Sequence, residues 1–349
     1  MTFLEPAPAI ATHALTKRFG DQTVLDGLDL EVAAGTVFAL LGPNGAGKTT
    51  AVRILSTLLP ADSGEARVAG HDVANDADAV RAAIGVTGQY SAVDGLLTGA
   101  ENLQLMADLH RLGRRERAAR VASLLERFDL VEAAGKRARD YSGGMRRRLD
   151  LAMSLIGRPR IVFLDEPTTG LDPRSRRGMW EIIRELVDDG VTIFLTTQYL
   201  EEADQLADRI AVLDGGRLVA EGTASELKRL VPGGHIEVRF ADLPSLDAAD
   251  RTVRGATRDQ DALTLAVPSD GSVGSLRALL ARLDDEDIAI EDLSIHTPDL
   301  DDVFFALTGA ARATYGTGAA RATSGTGAAR ATSGTGAARA TTTTEVNAR

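Results

Sequence analysis

Residues 41–50 read LGPNGAGKTT, and inside that run Gly42, Gly47, Lys48 and Thr49 form the pattern G-x-x-x-x-G-K-[ST]. An apolar run, VFALLG (37–42), leads into it, and a helical pattern, KTTAVRILSTLL, leads out. Strand, glycine-rich loop and helix start, in that order, leave few folds open. The glycines let successive backbone N–H groups turn inward, and the helix start adds partial positive charge. Such a loop cradles phosphate. Lys48 is expected to reach the β- and γ-phosphates of a nucleotide, and the Thr49 hydroxyl to ligate Mg2+. Pro43, Asn44, Gly45, Ala46 and Thr50 complete the candidate nucleotide-binding set.

A second run, IVFLDEP (161–167), ends an apolar strand in Asp165 and Glu166. Ligands of open α/β sheets sit at that end of the strands. Asp165 is the candidate Mg2+ holder, directly or through water. Glu166, beside it, is the candidate general base for an attacking water. Together the two runs indicate a P-loop NTPase. RIAVLDGG (209–216) and VTIFLTT (191–197) add continuous apolar runs of the kind buried on both faces of a parallel sheet. Helical patterns such as RSRRGMWEIIRELVDDG alternate with them, which gives an α/β class.

From about 95 to 160 the pattern is helical only, a helical insert in a first domain spanning 1–230. VPGGH (231–235) breaks the chain, and 235–309 reads as a small α+β domain. Its last helix shows one apolar stripe, Leu300, Val303, Phe304 and Leu307, with Thr297 expected as N-cap, Pro298 as its first residue and three aspartates in the first turn. From Ala311 the chain repeats ARATSGTGA-like units with a period of nine residues. These lack large aliphatic residues, so 310–349 is expected to be a disordered tail. It reads as a low-complexity extension, with weak contact to anionic lipid or RNA as the alternative.

Composition excludes some classes. The chain has no cysteine, so neither disulfides nor thiolate metal sites are available. A formal net charge of −11 argues against a nucleic-acid partner. No apolar run approaches the roughly 20 residues a membrane span needs, and the first residues carry no basic segment of a signal peptide. The five histidines have no ligand spacing with a carboxylate and are expected to be structural or on the surface. The run RRRL (146–149) is expected to be a helix face near phosphates or a partner chain.

The segment YSGGMRRRLDLAMSLIG places Ser142, Gly143 and Gly144 at a helix start just before the second run. This resembles the signature motif of ABC-transporter ATPases. The usual form has Leu at Tyr141 and Gln at Met145, so only the middle, SGG, is kept. The resemblance extends over about Ile10 to Lys228. Phe19, in LTKRFG, stands where that family stacks an aromatic on adenine. Gln89, in GVTGQYSAVDGLLT, stands at the Q-loop, which senses Mg2+. Leu171 and Asp172, in TTGLDP, match the D-loop. GVTGQYSAVDGLLTGAENL, TTQYLEEAD and LDDVFFALTG are most similar to the daunorubicin/doxorubicin-resistance exporter subfamily.

One phosphate loop and one signature per chain imply, through the resemblance, a homodimer that closes two ATP sites. They also imply a separate membrane permease docking near Gln89 and the helical insert, on the cytoplasmic face of a membrane. Gln198 stands at the switch-histidine position beside the γ-phosphate. Its amide can donate a hydrogen bond but cannot be protonated there. The expectation is a working ATPase with slower or differently tuned hydrolysis, powering export of a drug-like compound. Two other readings stand beside it: an ATP-gated regulatory module with little turnover, and a soluble ABC ATPase acting on ribosomes or DNA.

Overall fold

The computed structural model describes residues 7–89, 91–230, 234–270, 272–296 and 298–308. The repeats of 310–349 and Thr297 lie outside the described residues. The described residues belong to one compact unit.

The chain begins with β1 (Ile10–Phe19), β2 (Gln22–Val32) and β3 (Val37–Leu41) and enters α1 (Lys48–Leu55). Then come β4 (Ser63–Val68), a two-residue β5 (His71–Asp72), α2 (Ala77–Ala83) and β6 (Ile84–Thr87). Three helices follow: α3 (Gly99–Leu109), α4 (Arg114–Arg127) and α5 (Gly143–Ser154). The chain returns through β7 (Ile161–Asp165), α6 (Pro173–Asp188), β8 (Thr192–Thr197), α7 (Leu200–Leu206), β9 (Arg209–Asp214), β10 (Arg217–Gly222) and α8 (Ala224–Lys228). The last part holds β11 (His235–Arg239), α9 (Leu243–Thr252), β12 (Thr257–Asp259), β13 (Thr264–Pro268), α10 (Val273–Asp285), β14 (Asp292–His296) and α11 (Leu300–Thr308).

The central sheet runs β10-β9-β3-β8-β7-β6, parallel except for the β10 edge. Every residue of β3, β7 and β8 is buried, which is why these strands read as unbroken apolar runs rather than alternating ones. Phe38, Phe194 and Phe163 stand in register on three adjacent strands. Phe194 stacks on Phe38 at 5.6 Å between ring centroids and tilts against Phe163 at 5.5 Å. An antiparallel sheet, β2-β1-β4-β5, faces the central one. Its Ile10, Leu25, Leu28 and Val32 share one core with Phe38, Phe163 and Phe194, and α1 lies between, burying Ala51, Val52, Ile54 and Leu55.

Tyr141, where the signature usually has Leu, is buried and donates to Ala133 O at 2.8 Å. The phenol lies against the first residue of α3, where a Cβ added to Gly99 would sit 2.1 Å from the Tyr141 oxygen. The larger residue is thus accommodated by a missing side chain opposite it.

β11 to β14 form a third sheet, β12-β13-β11-β14, whose core includes Val238, Phe240, Leu246, Leu265, Leu279 and Leu283. α11 lies against α7 and α8, with Leu300, Val303 and Phe304 buried and Leu307 half-buried. Two aspartates hold its first turn. Asp299 precedes the helix, accepts from Asp302 N at 2.9 Å, and donates its own N–H to the Asp302 carboxylate at 3.2 Å. The two aspartates cap each other reciprocally, and Pro298 lies outside the helix. Among the described residues no helix is long and apolar enough to cross a membrane.

Removing the middle ring of the phenylalanine ladder should be felt strongly. Phe194→Ala is expected to destabilise by about 3–5 kcal/mol. Thermal unfolding checks it, at roughly 2–4 °C per kcal/mol; a shift under about 2 °C would mean the ladder is not central to the core.

Candidate nucleotide-binding and hydrolysis site

The β3–α1 loop closes over a cavity of about 450 Å³. That is within the usual range for small-molecule sites. Asn44, Gly45, Gly47, Lys48, Thr49, Thr50, Gln89 and Glu166 line it, together with Gln22 and Val24 of β2. Gly47, at φ 108°, has room for no side chain: a Cβ would stand 2.7 Å from Val24 O and 2.8 Å from Leu25 Cδ2. Gly42 is equally close to its neighbour, with a Cβ 2.3 Å from Leu213 O. The loop can adopt its turn only because both positions are glycine. Ala46 N donates to Pro43 O at 3.2 Å and tightens the same turn.

The Lys48 ammonium folds back on the loop and donates to Gly42 O at 2.7 Å and Pro43 O at 3.0 Å. Burial holds its pKa below the ordinary lysine value, against the opposing pull of the Glu166 and Asp165 carboxylates. Thr49 Oγ1 donates to Asp165 Oδ1 at 3.2 Å. Thr196, on β8, donates to the same carboxylate oxygen at 2.5 Å. Thr49, Asp165 and Gln89 offer hydroxyl, carboxylate and amide oxygens, a donor set that suits a hard cation such as Mg2+.

Glu166 has φ 49°, a left-handed conformation that costs an ordinary residue roughly 1–2 kcal/mol. Its surroundings fix it. Its N–H points at Thr196, 3.1 Å from O and 3.2 Å from Oγ1, and its carboxylate accepts from Thr169 Oγ1 at 3.2 Å. The strain turns the side chain away from the path of the strand and toward the cavity, which Glu166 lines.

The remaining expected residues lie elsewhere. Phe19 ends β1, is 48% exposed, pairs with Gln22 across the β1–β2 turn, and carries the Lys17 ammonium 5.5 Å from its ring. Gln198 is half-buried just after β8 and does not line the cavity. Ser142 caps α5, accepting from Met145 N at 3.2 Å, and Gly143 and Gly144 form its first turn. Asp172 caps α6 through Arg174 N at 3.0 Å and Ser175 N at 2.9 Å, and Ser175 Oγ donates to it at 2.6 Å. A Cβ on Gly144 would meet that same Ser175 hydroxyl at 2.6 Å, so the α5 and α6 starts are in contact. None of these lines the phosphate-loop cavity.

The arginines of RRRL bond largely to backbone carbonyls of the same chain. Arg146 donates to Ala138 O and Arg139 O, and Arg148 to Phe128 O and Asp129. Arg147 turns into the protein, toward Pro167 O at 2.8 Å. The carbonyls that attract them end turns of the same chain, which spacing along one helix does not reveal. Thr196, Arg147 and Asp150 are the residues that the motifs did not flag; for Thr196 a signal existed, a hydroxyl at the C-terminal end of a buried strand.

Glu202, on α7, is fully buried and accepts from Trp180 Nε1 at 3.3 Å. Burial raises its pKa, opposed more weakly by the Trp180 hydrogen bond and the charge of Arg176. A raised folded value means the stabilisation is complete below the ordinary carboxylate range and is lost as pH rises through the folded value. Glu202→Gln keeps the shape and removes the titration. Its melting temperature relative to the unmodified chain should therefore be higher at pH 8 than at pH 5, by about 2–4 °C per kcal/mol recovered. An equal gap at both pH values would show that Glu202 does not titrate in that window.

A family profile described as ABC transporter matches residues 25–169. The chain is 53% identical over 306 residues to a daunorubicin resistance ATP-binding protein, DrrA3, of Streptomyces coeruleorubidus, covering 87% of this chain and 97% of that one. It is 49% identical over 310 residues to the daunorubicin/doxorubicin resistance ATP-binding protein DrrA of Streptomyces peucetius, covering 87% and 94%. In structure it resembles the ATP-binding cassette MJ0796 in a dimeric post-hydrolysis state bound to ADP and Pi, with a TM-score of 0.56 and 26% identity over 61% of this chain and 98% of that one. With that likeness running nearly end to end through its relatives, the chain belongs to the nucleotide-binding proteins of ABC transporters, in the daunorubicin/doxorubicin-resistance group.

Proposed function

We propose that this chain binds Mg2+–ATP at the β3–α1 loop and hydrolyses it to power a separate membrane permease. One observation carries the reading: the Thr49–Asp165 bond of 3.2 Å, at a cavity that Lys48 and Glu166 also line. It joins the phosphate loop to the carboxylate pair at a single point. The loop N–H groups and the α1 start bind the phosphate chain. Lys48 leaves the carbonyls of Gly42 and Pro43 and pairs with β- and γ-oxygens, anions that favour the charged form burial disfavours. Thr49, Gln89 and Asp165 are the residues to hold Mg2+, which when bound neutralises charge on the phosphate oxygens. Glu166 takes a proton from the attacking water. Phe19 is in reach of the β2 residues that line the cavity and serves as the adenine platform.

Ser142, Gly143, Gly144 and Asp172 do not line that cavity, which supports a site completed by a second copy of the chain. The dimeric state of the MJ0796 relative supports the same arrangement. The names of the relatives point to daunorubicin-like, hydrophobic polycyclic compounds as cargo. The permease holds the chain at the cytoplasmic face of the membrane, next to Gln89 and the helices α3 to α5. Residues 235–309 act as an appended domain.

Steady-state hydrolysis by the purified chain tests this. Glu166→Gln should lower kcat by about 10²-fold or more with ATP still bound. Gln198→His restores a charge-assisted donor and should raise kcat by about two- to tenfold, the equivalent of up to about 1.4 kcal/mol. Turnover surviving in Glu166→Gln would remove Glu166 from the base role, and a fall in Gln198→His would remove residue 198 from the γ-phosphate.

A further inference from the structure

Helix α5 carries more than the Ser142 cap. Arg147, in its second turn, has a side chain only 12% exposed. A guanidinium has five N–H donors, and here each has an acceptor. Nε donates to Pro167 O at 2.8 Å; Nη1 to Gly88 O at 2.9 Å and Asp150 Oδ2 at 3.3 Å; Nη2 to Asp165 O at 3.0 Å and Glu166 O at 3.2 Å. Asp150, buried on the same helix, accepts with its other oxygen from Ala92 N at 3.0 Å. One ion pair on one helix thus holds Gly88 and Ala92, which bracket Gln89, and three consecutive carbonyls around Glu166.

Neither Arg147 nor Asp150 lines the cavity. Their targets are backbone atoms, not side chains, and backbone position is what a left-handed Glu166 at φ 49° depends on. An ion pair that served only to fill the core would need neither the three successive carbonyls nor both sides of Gln89. Lysine could not replace this arginine fully, since a flexible ammonium with three donors cannot reach five acceptors in a plane.

We propose that Arg147 and Asp150 are positioning residues for hydrolysis: they clamp the Gln89 loop and the Glu166 backbone to the start of the signature helix, so that a shift of one is passed to the other two. This rests on the reading of Glu166 as the base. It assigns the coupling between the permease-facing loop and the hydrolytic carboxylate to a single guanidinium.

The test uses the full chain with Arg147→Lys, Arg147→Met and Asp150→Asn. Four quantities are read: kcat and KM for Mg2+–ATP, affinity for a fluorescent ATP analogue, and amide hydrogen exchange in residues 88–92. Arg147→Met and Asp150→Asn are expected to lower kcat at least tenfold while KM and analogue affinity change less than threefold. Exchange in 88–92 should rise at least tenfold, and Arg147→Lys should fall between. Unchanged exchange overturns the clamp, and so does raised exchange with unchanged kcat. A loss of kcat and affinity in equal measure would mark a merely structural pair. Asp150→Asn keeps side-chain volume, so a failure of Arg147→Met to fold leaves the test intact. Glu166→Gln is measured beside them: if it retains turnover, the base assignment fails, while loop exchange in the Arg147 variants still reports on the clamp.

Discussion

The turn at Gly47 is the constraint from which the rest of the molecule follows. Its φ of 108° and the closeness of Val24 O and Leu25 Cδ2 allow hydrogen and nothing larger. Through that turn the chain leaves a fully buried strand and enters α1 between two sheets. The helix start is thereby aimed out of the sheet edge, where Asp165 and Glu166 also end their strand. A phosphate loop therefore needs the antiparallel β1–β2 layer as much as the parallel one: β2 supplies the atoms that press on Gly47 and two residues of the cavity wall, Gln22 and Val24.

Much of this was readable from residue order. The strands β3, β7, β8 and β9 stood out because burial on both faces makes them continuously apolar, and the loop and the Asp165–Glu166 pair sat at their ends. The β1–β2 pair was not readable in the same way. Its register shifts several times, between Thr12 and Leu15 and again up to Arg18, so no clean alternation survives in the sequence. The inward turn of Arg147 was not readable for a different reason. Three neighbouring arginines suggest an exposed basic face, but the carbonyls that draw Arg147 inward come from Gly88 and from 165–167, and only the fold brings these together. The start of α11 shows a reciprocal Asp299–Asp302 pair that the helical stripe alone did not reveal.

The departures from the usual signature have separate physical meanings. Tyr141 is a packing change, matched by the glycine that opens α3 and anchored by Ala133 O. Met145 presents its backbone N–H to Ser142, a role any residue but proline can fill. Gln198 is of another kind: it stands half-buried just after β8, outside the signature and outside the cavity lining.

The protein contains a single tryptophan. Trp180 is nearly buried on α6, and its indole N–H points at Glu202, on the helix that begins just after Gln198. All indole fluorescence of the chain therefore originates beside the start of α7. Any rearrangement there that moves the Glu202 carboxylate alters the polarity around one fluorophore, without background from others. The fold thus carries an intrinsic optical reporter of the β8–α7 connection, and the cysteine-free sequence leaves every thiol-specific label free for a second position.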